Sequence, residues 1–315
     1  MAAYIARRLA WVPFLLLIVT FITFTLGRFG PGDPVEVLMG QHYNPEDAQR
    51  IRHQLGLDKN VFAQYGIYVK DVFHGDFGES YKFRGRTVWE LIHKRMWVSA
   101  QLGFAALIIS VGLGIPLGLF TALKQGTWLD TATVAATLFG QSMPVFLTAP
   151  GLLLIFALKL AILPDHGWGG FFDTRVVLPA LVLGIPGVAI ITRLTRASTL
   201  DVVNQDYVRT ARAKGLPEGI VRRRHILRNA LIPVATNVGF SLAGLIGGAI
   251  ITERFFGIPG VGNLSVESLF ARDYPVIMAL TIIGTTVFVL VNLVIDLIYP
   301  LLDPRIRLGG GYLAG

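Results

Sequence analysis

The chain has 315 residues, of which 53% are hydrophobic and 15% charged, where a soluble domain carries about 25% charged. That balance excludes an ordinary soluble enzyme. The absence of cysteine also excludes a disulfide framework, a thiolate metal centre, an iron–sulfur cluster and a cysteine nucleophile. The formal charge of +8, from 28 Lys+Arg and 20 Asp+Glu, takes its meaning from where those charges lie.

They are missing from six stretches: Leu9–Gly27, Met96–Leu123, Thr131–Leu158, Val176–Thr192, Asn229–Thr252 and Tyr274–Ile295. A helix of about 20 apolar residues crosses the hydrocarbon core, with about 17–25 tolerated, so six transmembrane helices are expected. The first follows Arg7 and Arg8, as the apolar run of a secretory signal would. No convincing small-residue cleavage site comes after it, and five more spans follow, so it is read as a retained helix. Gly112, Gly114 and Pro116 interrupt the second span, Gly140, Pro144 and Pro150 the third, and Gly184, Pro186 and Gly187 the fourth. Such breaks belong where helices pack closely or line a cavity, and both readings stay open.

Between the first two spans, Asn44-Pro45-Glu46-Asp47 reads as an N-cap, a proline at the first helical position and early acids, with Leu55-Gly56 as the stop. A second short helix is expected over Val61–Phe73, before Gly75-Asp76-Phe77-Gly78. Ten Lys+Arg nearly balance nine Asp+Glu here, which suits a small folded cap. Between spans four and five, Arg193–Arg228 holds nine Lys/Arg and three acids. A helix is expected near Leu200–Lys214, a turn at Gly215, and a new helix opening at Pro217-Glu218. This hairpin projects from the membrane, with Arg222, Arg223 and Arg224 placed for anionic headgroups and the Gly215 turn for a protein partner. After span five, Phe255-Phe256-Gly257-Ile258-Pro259-Gly260-Val261-Gly262 turns tightly at the membrane boundary. Phe255, Phe256, Pro259 and Gly260 are candidates for an outer gate or docking element.

Basic residues orient the chain. With the N-terminus cytoplasmic, inner segments hold 14 Lys/Arg and the short outer loops four. The other ten lie in Arg28–Arg95, longer than the roughly 60 residues over which the positive-inside rule acts. Both termini are therefore expected in the cytoplasm, and the positive charge reads as topology rather than as nucleic-acid binding.

Catalytic patterns are missing. The dipeptide Gly-Lys does not occur, so there is no Walker A lysine and no P-loop ATPase. The six histidines lie outside the spans and form no H-x-x-x-H pair. Asp296, one turn before Tyr299-Pro300, is read as an inner-end contact with Arg305 or a neighbouring helix, although intramembrane acids are functional candidates. A proton-driven carrier would show more ionisable groups in its core, so energy is expected from another polypeptide, or none is used.

Several strings, in this order, resemble the B-type permease subunits of dipeptide/oligopeptide ATP-binding-cassette importers over nearly the whole chain. They are Pro31-Gly32-Asp33-Pro34, Gln54-Leu55-Gly56-Leu57-Asp58, Gly75-Asp76-Phe77-Gly78-Glu79-Ser80, Asp206 to Leu216, His225 to Leu231, Phe256 to Gly262, Arg272-Asp273-Tyr274-Pro275-Val276 and Leu302 to Arg307. The wider family carries a cytoplasmic signature, E-A-A-x3-G-x9-I-x-L-P. Setting its glycine on Gly215 puts Arg209, Thr210 and Ala211 at the E-A-A positions and His225, Leu227 and Arg228 at I, L and P; Ala211, Gly215 and Leu227 match.

The resemblance implies an all-α polytopic membrane protein with the six-helix type I importer fold. Residues 1–28 would form the N-terminus and first helix, 29–95 an extracytoplasmic helical region, 96–300 the transmembrane domain with the hairpin 193–228, and 301–315 a cytoplasmic tail. It implies a non-catalytic permease in the cell membrane, with no cofactor of its own. Its partners would be a homologous C-type permease, two ABC ATPases carrying ATP and Mg, an extracytoplasmic solute-binding protein and the lipid bilayer, with no nucleic acid. The ATPase-coupling residues would be Asn204, Gln205, Asp206, Tyr207, Arg209, Thr210, Ala211, Arg212, Lys214, Gly215, Leu216 and Pro217. The solute would be a di- or oligopeptide. The same machinery importing nickel chelate, glutathione or oligosaccharide is the alternative, and a stand-alone channel or carrier a more distant one.

Overall fold

The computed structural model describes residues 2–29, 35, 39, 44–54, 56–245 and 249–302. Helices dominate, and the one β contact among the described residues is an isolated bridge between Glu79 and Thr87. The strings at 31–34 and 303–307, and the side chain of Asp296, lie outside the described residues.

Four helices are each long and apolar enough to cross a membrane: α1 (Ala2–Phe29), α4 (Val88–Leu123), α7 (Val177–Val203) and α13 (Tyr274–Leu302). At about 1.5 Å per residue, the 36 residues of α4 reach some 54 Å, well beyond a hydrocarbon core of about 30 Å. Its first turns, with His93, Lys94 and Arg95, therefore stand outside that core. The third expected span is broken. α5 (Trp128–Ser142) meets the segment Val145–Lys159 at 104°. Met143 precedes a proline and is pushed to extended geometry (φ −74°, ψ 121°), and Pro144 then opens α6 (Val145–Leu152), which winds on as a π-helical stretch, Leu153–Lys159. The fifth expected span falls on α10 (Arg228–Leu245) and the approach to α11 (Ile250–Phe255).

The most extensive helix contact joins α4 to α7, and the interrupting glycines explain it. A Cβ on Gly114 would lie 2.7 Å from the Ile191 side chain, and one on Gly118 2.5 Å from the Thr192 carbonyl oxygen; Gly184 returns the fit against Ala106 and Ile109, and Gly187 against Ser110. Lipid gives little hydrophobic drive between helices, so small residues that let backbones approach supply the contact through packing. At these four positions close packing is the observed role. Gly112 faces open space.

The region between α1 and α4 packs against the bundle. α2 (Pro45–Gln54) opens as expected, with the Glu46 N–H donating to Asn44 Oδ1. α3 (Val61–Phe73) is laid along α1: Tyr65 Oη donates to the Leu17 carbonyl at 3.0 Å, and its ring meets Phe21 and Phe24. One core joins Leu102 and Ala105 of α4, Leu178, Ala180 and Val182 of α7, and Phe256 and Ile258. A second joins Val88, Leu91 and Ile92 to Leu264 of α12 (Val261–Ala271) and to Val276 and Ala279 of α13.

Asp273, just before α13, is fully buried; it accepts from the Ser80 hydroxyl and from the Tyr81 and Lys82 N–H groups at 3.1 and 3.3 Å. Two of the sequence strings, 193 residues apart at Ser80 and Asp273, are thus one structural joint. On the opposite side, Arg196 grips Asp130 with two bonds of 2.8 Å. These joints link segments assigned to the same face of the membrane.

Candidate functional site

The expected hairpin is present. α7 runs past its apolar stretch to Val203, and the chain breaks at Asn204 and Gln205 before α8 (Asp206–Ala213). One helix over Leu200–Lys214 was expected. The break arises because Asn204 Nδ2 and Gln205 Nε2 donate to the carbonyls of Leu200 and Asp201, competing with the backbone. Gly215 turns the chain at φ +74° with nothing near its missing Cβ, a conformation that costs other residues roughly 1–2 kcal/mol. Pro217 then caps the single turn α9 (Glu218–Ile220), which continues as a π-helical stretch, Val221–Leu227, into α10.

A small core of Val208, Ala211, Val221 and Ile226, backed by Val202 and Val203, makes the hairpin a folded unit. Arg212 clasps Glu218 through Nη2 (3.0 Å) and Nε (3.3 Å), and Arg222 approaches the same carboxylate at 3.8 Å. The Arg212 hydrogen bond holds the Glu218 carboxyl below its ordinary range. Asn229 Nδ2 donates to Tyr207 Oη at 3.0 Å.

Of the expected coupling residues, Ala211 is buried in this core, so the signature alanine acts by packing. Asn204, Gln205, Asp206, Tyr207, Arg209, Thr210, Arg212, Lys214, Gly215, Leu216 and Pro217 are exposed. The Asp206 side chain is 99% accessible and the Arg209 side chain 70%. Arg222, Arg223 and Arg224 are also exposed. The folded elbow thus presents an exposed, mainly polar surface in which Leu216 and Ile220 are apolar.

Within the bundle, α4, α7 and α10 surround a cavity of about 380 Å³. Its lining is mostly aliphatic, with Ser99, Ser110, Asn237 and Ser241 as the polar side chains. Sequence reasoning did not single these out. The available signal was polar residues inside charge-free stretches at helical spacing: Asn237 and Ser241 one turn apart, and Ser99 and Ser110 three turns apart. Ser110 shares its hydroxyl between the Ala106 and Gly184 carbonyls, both at 2.9 Å.

The Phe255–Gly262 string adjoins the cavity wall at Ser99, whose hydroxyl oxygen accepts from the Val261 N–H at 2.8 Å. Phe256 and Gly260 are buried, while Phe255 and Pro259 are exposed. Phe256 belongs to the core, and its carbonyl accepts from the Gly167 N–H at 2.7 Å. Gly257, at φ +64°, turns the chain there.

These features define a class: a polytopic helical membrane protein with a cavity between its helices and a folded, exposed elbow. Two family models match the chain, one described as binding-protein-dependent transport system inner membrane component over residues 114–308, the other as its N-terminal part over residues 1–102. The chain is 36% identical to the dipeptide transport system permease protein DppB of Alkalihalophilus pseudofirmus, covering 98% of this chain and 100% of that one. It is 37% identical to the DppB of Escherichia coli K12, covering 98% and 99%. Among solved structures, inward-facing conformations of the MetNI methionine ABC transporter share the fold at a TM-score of 0.55 and 15% identity, over 68% of this chain and 96% of that one. The chain belongs to the family of inner membrane components of binding-protein-dependent transport systems. It is an integral membrane permease subunit of a multi-component system.

Proposed function

We propose that the chain is the B-type permease half of an ATP-driven importer of di- or oligopeptides. The observation that carries this is the identity of 36–37% over essentially full length with two dipeptide permeases. In this reading a homologous C-type permease pairs with the bundle, an extracytoplasmic solute-binding protein delivers the peptide, and two ABC ATPases supply the energy while holding ATP and Mg. Both termini and the elbow lie in the cytoplasm.

What supports the elbow as the coupling element is mechanical. Its core and the Arg212–Glu218 clasp make it stiff, and α7 and α10 attach it at both ends, so a force on Arg209, Thr210 or Leu216 passes into two cavity-lining helices. Closure of the ATPases would draw the elbows of the two permeases together and tilt the bundle. The triple arginine would rest near anionic headgroups. Phe255 and Pro259 are exposed where the binding protein would dock, while Phe256 and Gly260 set their backbone. The mainly aliphatic cavity suits solutes of varied side chains, with selection left to the binding protein.

The test is uptake of a labelled dipeptide into vesicles holding the assembled complex, binding protein and ATP. Accumulation competed by other dipeptides, and not by glutathione, an oligosaccharide or a nickel chelate, is the expected result. Competition by one of those solutes alone would overturn the peptide assignment.

A further inference from the structure

Glu253 is the anomaly of the bundle. It is completely buried, yet its three donors are all neutral. Oε1 accepts from the Ser99 hydroxyl at 2.6 Å and from the Ala249 N–H at 3.2 Å, and Oε2 from the Asn263 N–H at 3.0 Å. Ser99 in turn accepts from the Val261 N–H at 2.8 Å. A Cβ on Gly260 would overlap the carboxylate, and one on Gly262 would lie 2.7 Å from the Ile250 Cα. The two glycines are thus explained by the space that the carboxylate and its helix occupy.

A buried carboxylate satisfied only by dipoles is costly to build, and losing one donor strands it. Ser99 is the donor most exposed to such a loss. Alone among the three it sits on another long helix, α4, and with Ala249 it lines the cavity. The neighbouring ion pairs to Glu267 of α12, from Arg95 of α4 at 3.4 Å and from Lys82 in the loop before α4 at 3.6 Å, involve partly exposed side chains, and such pairs hold weakly. Beside the apolar contacts of Leu102 and Ala105 with Phe256 and Ile258, α4 is tied to the 249–263 segment by one buried hydroxyl that donates to Glu253 and accepts from Val261.

We propose that Ser99 and Glu253 are a positioning pair that latches the outer end of the cavity, and that outward opening proceeds by parting α4 from the 249–263 segment at this hydroxyl. The proposal rests on reading the cavity as the solute's path. When the latch parts, an Oε1 lone pair faces the cavity, where water or an N–H donor of the solute replaces Ser99. Neither residue changes covalently; together they set the balance between closed and open.

Because the chain has no cysteine, a Leu107→Cys reporter on the cavity wall labels at one position. A membrane-impermeant maleimide is applied to each face of vesicles holding the assembled complex without ATP. Ser99→Ala is expected to raise the outer-face labelling rate about tenfold, the shift produced by losing one net hydrogen bond to a charged group. Ser99→Thr, which keeps the hydroxyl, should restore the parent rate. Glu253→Gln, which sets an NH2 against a donor, should act like Ser99→Ala and serves if that variant fails to accumulate. Unchanged outer labelling in both variants, or an equal rise from both faces, overturns the latch. A reporter reached from neither face in any nucleotide state overturns the path reading, and the latch with it.

Discussion

The collar formed by residues 249–273 and the hairpin elbow both carry acids, and they treat them in opposite ways. In the collar, Glu253 and Asp273 are wholly buried, and serine hydroxyls and backbone N–H groups of the same chain satisfy them. In the elbow, Asp206 and Glu218 stand in solvent beside arginines. A buried carboxylate held by its own chain offers no surface to a docking subunit and ties the segments around it together for as long as those bonds hold. An exposed polar surface on a stiff turn is complete only when something docks on it. In the proposed reading the collar positions the bundle and the elbow is gripped.

The largest effect should come from the collar. Asp273→Ala removes the acceptor of Ser80, Tyr81 and Lys82, and a buried donor left unpaired costs roughly 1–3 kcal/mol. A loss of about 3 kcal/mol is expected, read as earlier aggregation on heating the detergent-solubilised chain; a change within about 0.5 kcal/mol, the range of neutral surface substitutions, would erase the contrast. Next comes Gly260→Ala, whose new methyl overlaps the Glu253 carboxylate and should cost about 1–3 kcal/mol by overpacking. Gly257→Ala meets open space and should cost only the roughly 1 kcal/mol of a left-handed turn. Equal losses for the pair would count against the packing argument.

In the elbow, Gly215→Val should cost about 1–2 kcal/mol locally and leave membrane insertion intact, yet reduce substrate-stimulated ATP hydrolysis by the assembled complex. Wild-type stimulation would argue against a gripped turn. The smallest effect belongs to Arg212→Ala, which removes an exposed ion pair worth about 0.2–1 kcal/mol. The Glu218 carboxyl is held below its ordinary value of 4.5. The pair's contribution is thus fully present above that value and is lost as pH falls through the lower folded-state value. A thermal-stability profile of wild type and Arg212→Ala should therefore converge in acid.

Local chemistry made some of this architecture readable in advance. Asn44-Pro45 marks the start of α2, Val61–Phe73 is a helix with those ends, and Gly215 is the turn of the hairpin. Two features were hidden for physical reasons. α7 carries Arg193 and Arg196 on a helix that runs past the apolar stretch, so the charges end the span without ending the helix. Glu253 reads as a loop residue in sequence, because the Ser99 that explains it lies 154 positions away. Hydrogen bonds across such distances leave no periodic pattern, whereas caps and turns are written within a few residues.

The elbow's role can be measured directly by placing a single cysteine at Thr210 of the cysteine-free chain and attaching a short bifunctional crosslinker in membranes holding the whole transporter. The account predicts a covalent adduct between this chain and an ATP-hydrolysing subunit, with a control Phe172→Cys, exposed on the loop between the 153–159 stretch and α7, forming none. An equal adduct from Phe172→Cys, or none from Thr210→Cys in an assembled and active complex, would contradict it.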